Sequence, residues 1–277
     1  MEILINELSV SGQFASSEQF VNEALPPLVA ALKEVDNTKD ILLKKYDLFS
    51  AKIDAETSVY DIMVGPASRL YDEIRKFKSL LVALFENPYW EDSRQHAADC
   101  SYICHGNNVC NYSIAEACER DKVIISFVHP DFSMTQLSII KNDTEIKVDN
   151  FFDKGHYTEI AWKREVLNCR EYCMRKFAGG KLDFSKIDEK ESFSLLKKED
   201  ERLFIDGFRK FTALSWQQIG VDDALDYKPY PDNDNIFKDI PYKIHKFRTS
   251  RKYRCFGYVD NGIFYVLRFD LEHKLSD

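Results

Sequence analysis

With 277 residues, 44% of them hydrophobic and 13% aromatic, the chain can bury the core of one large domain or two ordinary ones, and its 20 Phe and 14 Tyr exclude extended disorder. A formal net charge of −8 argues against a generic nucleic-acid coat. That charge is uneven: residues 240–277 hold eight Lys/Arg against four Asp/Glu and the remainder 30 against 42, so a basic end follows an acidic body and hints at an anionic partner.

The opening Met1-Glu-Ile-Leu-Ile-Asn-Glu7 lacks the basic region and long apolar stretch of a signal peptide, and the longest helical apolar run, Leu80 to Phe85, is too short to span a bilayer. The expectation is a cytoplasmic protein with no membrane partner. Seven cysteines, an odd number without an export signal, are then expected as reduced thiols.

In chain order, Ser16-Ser-Glu-Gln19 reads as a capping box opening a short helix, and Pro26-Pro27 ends it and starts another with Leu28, Val29 and Leu32 inward. The first fifty residues read as helical. Pro66 to Asn87 gives the clearest helix, a stripe of Leu70, Ile74, Phe77, Leu81 and Leu84. Ser113 to Arg120 predicts a short helix, Val123 to Val128 a buried strand broken by His129-Pro130, and Gln136–Lys141 with Glu145–Asp149 a hairpin around Asn142-Asp-Thr144. Trp162, Val166, Cys169, Cys173 and Phe177 share one face of a helix that ends at Gly179-Gly180. A domain boundary is placed there, near residue 180.

Beyond it, Ser192 to Leu196 predicts a strand, Leu203 to Leu214 a helix with Phe204, Phe208 and Phe211 on one side, and Ser215-Trp-Gln-Gln218 another capping box. Tyr227 to Asp239, rich in Pro, Asp and Asn, predicts a surface loop. Three strand-like runs complete the chain, Tyr242 to Arg248, Tyr253 to Val259 and Ile263 to Asp270, the last two joined through Asp260-Asn-Gly262.

Four cysteines (100, 104, 110, 118) with His105 suggest a metal test, but structural zinc draws on two close pairs and only Cys100 and Cys104 form one. Buried or incidental thiols are the simpler reading, and no metal or cofactor is assigned. Asp260 with Glu272-His-Lys274 superficially copies the carboxylate-and-lysine set of metal-dependent nucleases, although Asp260 belongs to a turn signal. Arg268 and His273 also match the Arg-x4-His spacing of HEPN ribonucleases, here at a strand end instead of a helix start. On the last strand, alternation puts Phe264, Val266, Arg268 and Asp270 on one side, which offers Arg268 a carboxylate partner in Asp270.

The succession Lys243-Ile-His-Lys-Phe-Arg248, Tyr253-Arg-Cys-Phe-Gly257, Ile263-Phe-Tyr-Val-Leu267 and a closing His273-Lys274, after the Leu203–Ile219 helical segment, resembles the RelE/ParE toxin superfamily. The resemblance covers about residues 185–277 and implies helices packed on an antiparallel sheet. For RelE-type members it implies a metal-independent ribonuclease that cuts mRNA on the ribosome through attack by the RNA's own 2′-hydroxyl. Carried onto this chain, Arg248 and Arg254 supply fixed charge, Lys274 further charge and His273 proton transfer. Lys246, Arg251 and Lys252 contact RNA, and Tyr253 or Tyr258 stacks on a base. ParE-type members share the fold but bind gyrase without cutting RNA, so enzyme and non-catalytic binding module both stay open.

The expectation is therefore an α+β protein. A mixed domain over residues 1–180, sensing or self-inhibitory, precedes a RelE-like domain over 181–277. The leading function is a cytosolic toxin or phage-defence effector acting on RNA, with RNA or the ribosome as partner and an antitoxin or trigger protein as a further one.

Overall fold

The computed structural model describes residues 1–10, 14–64, 79, 88–272 and 275, arranged as mixed α and β structure in two compact units, Met1–Val166 and Leu167–Asp277. No helix among the described residues is long and apolar enough to cross a membrane. The helix expected from Pro66 to Asn87 lies, apart from Ser79, outside the described residues.

The first unit starts with β1 (Glu2–Ile5), a short helical turn α1 (Ser17–Gln19), a π turn over Phe20–Ala24, α2 (Leu25–Thr38) and β2 (Ile41–Leu43). After α3 (Val59–Val64) come β3 (Tyr102–Cys104), β4 (Asn107–Asn108), α4 (Ser113–Glu119), β5 (Val123–Ile125), β6 (Gln136–Lys141), β7 (Thr144–Phe151) and α5 (Lys154–Lys163). The seven strands order as β2-β1-β5-β7-β6-β3-β4, with the β2-β1-β5-β7 pairs parallel and the rest antiparallel. The helical reading of the first fifty residues is thus corrected at two places. Glu2–Ile5 and Ile41–Leu43 are parallel strands of four and three residues, too short for periodicity to separate from helix.

Other local signals hold. Ser16 accepts the N–H of Gln19, and Pro26 and Pro27 occupy the first turn of α2, where a missing N–H costs nothing, but they do not end the first helix, which runs through the π turn into α2 without a break. Leu28, Val29 and Leu32 are buried as expected. The continuous helix expected through Trp162 to Phe177 is two: α5 stops at Lys163, Glu165 takes a left-handed φ of 60°, and α6 (Cys169–Lys176) restarts under an Asn168/Glu171 capping box.

The second unit adds β8 (Leu182–Asp183), α7 (Lys198–Ala213), α8 (Trp216–Val221), β9 (Lys228–Pro229), β10 (Ile244–Arg248), β11 (Arg254–Asp260) and β12 (Ile263–Asp270). The division falls between Val166 and Leu167 instead of near residue 180, because α6 packs with the elements C-terminal to it. Phe177 meets Phe184 and Phe208, and Arg209 donates to the Tyr172 hydroxyl at 2.6 Å. The strand expected at Ser192–Leu196 is a 3-10 turn over Phe193–Leu195.

Its sheet runs β8-β12-β11-β10-β9, antiparallel except for the β8/β12 pair. One face is closed by α7, whose Phe204, Phe208 and Phe211 meet Phe247, Phe264 and Phe269 at ring separations of 4.5–6.2 Å. Each such pair adds about 0.5–1.5 kcal/mol beyond its buried area. The β11/β12 turn is set by Asn261 (φ 48°) and Gly262 (φ 77°), and Trp216 of α8 donates its indole N–H to the Gly262 carbonyl at 3.2 Å.

The register of β11 with β12 shifts between Phe256 and Gly257, so Phe256 pairs with Arg268 but Gly257 with Val266. This bulge corrects the simple alternation. Phe264 faces α7, whereas Arg268 and Asp270 stand on the opposite face with Phe256 and Arg254.

Candidate functional site

That opposite face of the second unit collects most of the cations that the sequence singled out. Arg248, Arg254 and Asp270 are register partners across β10, β11 and β12, and the next row along joins Lys228, Lys246, Phe256 and Arg268. Cross-strand partners project from the same side of a sheet, so the cations share one surface.

Each is held differently. Half-buried Arg248 donates from Nη2 to Asp226 Oδ2 at 3.0 Å, and Lys228 Nζ lies 3.0 Å from the same oxygen. Arg254 is only 8% exposed and donates from Nη1 to the carbonyls of Ser250, Arg251 and Tyr253 at 3.2–3.4 Å. Burial, then the neighbouring Arg248 charge, pulls its guanidinium below the usual range. Lys246 Nζ sits over the rings of Tyr230 and Phe256, 5.6 and 5.9 Å from their centroids, and burial lowers its ammonium as well. Arg268 pairs with Glu191 at 3.1 Å, not with Asp270, whose carboxylate instead accepts the N–H groups of Glu272 and Leu275.

The aromatic candidates separate. Tyr253 is buried on the helix side, stacked on Phe204 at 5.5 Å with its hydroxyl donating to Asp200 at 2.7 Å, which withdraws it from any base-stacking role. Tyr258 lies on the cation side, but its ring is enclosed between Tyr242 (4.5 Å) and Tyr265 (5.1 Å). Exposed Tyr242, which the sequence did not single out, offers the outer ring of that stack. Arg251 and Lys252 are exposed in the turn between β10 and β11, and His273 and Lys274 lie outside the described residues.

Neither metal suggestion gains geometry. Asp260 precedes β12 and Glu272 follows it, which puts an eight-residue strand, roughly 25 Å, between them. Cys104 and Cys118 are buried in the first unit's core, where burial pushes their thiols up to about 11 and about 12. Half-buried Cys110 donates from Sγ to the Cys100 carbonyl at 3.3 Å. Among the described residues no three His, Cys, Asp or Glu side chains gather as a metal set.

The first unit holds a polar row that sequence reasoning missed, at the carboxyl ends of β1, β5 and β7. Asn6 donates to Ser126 at 2.9 Å, Ser126 to Asn150 at 2.7 Å, and Asn150 to the carbonyls of Phe132 and Met134 at 2.7 and 2.8 Å. Beside it, Glu7 is buried, accepts the Ser113 N–H at 2.9 Å and leaves Oε2 without a hydrogen bond. Burial pushes this carboxyl from 4.5 up to about 7, against the Ser113 hydrogen bonds that lower it. A raised carboxyl binds its proton more tightly in the folded state, so its contribution is full below 4.5 and lost as pH climbs through 7. Glu7→Gln should therefore stabilise the first unit by about 2–3 kcal/mol at pH 8 and by little at pH 4.5, read from denaturant melts at the two pH values.

Comparison with protein-family models, curated proteins and solved structures found no match to this chain.

Proposed function

We propose that the second unit is a RelE-like module acting on RNA as a metal-independent endoribonuclease, within a cytosolic toxin or phage-defence effector. The observation that carries this reading is the pairing of Arg248 with Arg254 across β10 and β11, with Lys246 and Arg268 in the neighbouring row on the same face. Two guanidiniums placed side by side, one of them buried, cost free energy that an anion between them returns. A phosphodiester undergoing attack supplies that anion, and its charge grows in the transition state.

In this reaction a base takes the proton of the RNA 2′-hydroxyl, the oxygen attacks the adjacent phosphorus, and the bond to the 5′-oxygen breaks as that oxygen receives a proton. The products are a 2′,3′-cyclic phosphate and a free 5′-hydroxyl. Arg248 and Arg254 would hold the pentacovalent oxygens, and, as the RelE resemblance implies, His273 would transfer the proton and Lys274 would add charge.

The second reading, a non-catalytic module that grips nucleic acid or protein, is favoured by the internal ion pairs of Arg248 and Arg268. Labelled RNA incubated in EDTA, with and without ribosomes, separates the two. Cleavage to 2′,3′-cyclic ends supports the enzyme, and binding alone supports the module. Arg254→Ala should slow cleavage about 100-fold by removing one preorganised cation. Activity that survives Arg254→Ala and His273→Ala together would remove the catalytic reading.

A further inference from the structure

We propose that residues 226–240 form an acidic strap that masks the cation face, Asp226 standing where an RNA phosphate would lie against Arg248, and that single-stranded RNA binds by displacing it. This rests on the RNA-directed reading of the same face and adds its regulation.

The strap is acidic in sequence, with Asp226, Asp232, Asp234 and Asp239 against Lys228 and Lys238. It first pairs with the sheet edge through β9 and then turns back over the face. There Tyr230 and Phe237 set their rings against Phe256 at 4.9 and 6.0 Å, and Ile240 joins the same apolar cluster. One Asp226 oxygen receives both Arg248 Nη2 and Lys228 Nζ, each at 3.0 Å. A phosphate oxygen that accepts from Arg248 would take the place of this carboxylate oxygen.

The closure is shallow at its tip. Between its two aromatic anchors Pro231, Asn233, Asp234, Asn235 and Ile236 are exposed, and the turn is tied by Asp232, which accepts the N–H groups of Ile236 and Phe237 at 2.9 and 3.0 Å. Asp226, Asp232 and Asn235 take left-handed φ values of 44°, 46° and 54°, which Asp and Asn tolerate. Segments with few buried contacts open far more readily than the core. Partly exposed ion pairs contribute little net free energy, so exchanging the Asp226 carboxylate for a phosphate is a small step. Arg254, which makes no ion pair among the described residues, remains as the point where an entering phosphate first gains.

The test uses the full chain and a fluorescein-labelled twelve-nucleotide oligouridylate, titrated by anisotropy at several KCl concentrations. Asp226→Asn is nearly isosteric and suits a left-handed backbone, so the fold is kept. It should tighten binding about 5- to 10-fold and steepen the dependence of log affinity on log salt by about 1, since the Arg248 cation on the sheet becomes free. Asp223→Asn, the same charge change at an exposed position outside the strap, should stay within about twofold of the parent. Arg248→Ala should weaken binding with or without Asp226→Asn. Hydrogen exchange at the Ile236 and Phe237 amides should quicken when the RNA is bound.

Equal or weaker binding by Asp226→Asn, or a gain no larger than that of Asp223→Asn, overturns the strap. If Arg248→Ala still weakens binding in that case, the RNA face stands without it. If neither Arg248→Ala nor Arg254→Ala alters RNA binding in any background, the reading of the face falls and the strap falls with it.

Discussion

Glu116→Ala is expected to destabilise the first unit by about 3–5 kcal/mol, the range for removing one partner from a buried charged network. Glu116 lies fully buried on α4 and accepts the N–H groups of Gln95 and His96, the His96 ring nitrogen Nδ1 at 2.6 Å and Arg120 Nε at 2.6 Å. Arg120 in turn reaches Glu2 on β1 at 3.0 Å and the Ser93 carbonyl at 2.7 Å. The network thus ties α4, the segment before β3 and the first strand together. Truncation would leave these donors buried without an acceptor, each at the cost of its own desolvation.

The pH dependence gives this loss a signature. Burial alone would raise the Glu116 carboxyl, but its hydrogen bonds from His96, Gln95 and Arg120 outweigh burial and hold it below the ordinary 4.5. A depressed carboxyl contributes stability that is full above 4.5 and disappears as pH falls through its folded value. Urea melts should therefore show a large gap between parent and Glu116→Ala at pH 7 that narrows toward pH 3. Arg120→Ala added to Glu116→Ala should cost less than the two single losses together, because both act on one network. A gap below about 1 kcal/mol at pH 7 would show that the network is replaceable by water.

What was legible in the sequence was local. The Ser215/Gln218 capping box, the Asn261-Gly262 turn and the Phe204, Phe208, Phe211 stripe each depend on residues within a few positions, and each forms as read. The Asn168/Glu171 box was equally local, yet the apolar spacing of Trp162 to Phe177 hid the break it marks. β1 and β2 were missed because runs of three apolar residues carry no period. The cation face was partly legible, since Lys246, Arg248 and Arg254 sit close in sequence. Their carboxylates were not. Asp226 reaches Arg248 from the loop before β9, and Glu191 reaches Arg268 from the far side of α7, distances in sequence that no local pattern encodes. Tyr253 illustrates the converse: its type suited base stacking, but its position just before β11, facing α7, makes it core.

The bulge in β12 was the least legible feature, and it decides where Arg268 points. Gly257→Ala should accordingly be among the most damaging single-methyl additions in the second unit. A Cβ there would lie 2.1 Å from the Tyr265 carbonyl oxygen and 2.5 Å from Phe264 Cε1. The oxygen belongs to the paired strand, so relief requires moving β12 itself, and Phe264 is packed against Phe211 and Phe247. Overpacking a rigid core usually costs about 1–3 kcal/mol, and a clash with paired backbone exceeds that, so about 4 kcal/mol is expected. If β12 escapes by undoing the bulge, the strand regains simple alternation beyond Gly257. Arg268 and Asp270 would then rotate toward the phenylalanines of α7, where an unpaired guanidinium is costlier still. The variant should lose the cooperative melt of the second unit and, with it, RNA binding, while the Glu116-dependent transition of the first unit keeps its pH profile. A second unit that melts as the parent does would mean that β12 can yield at this point, and the bulge would lose its claim to fix the cation face.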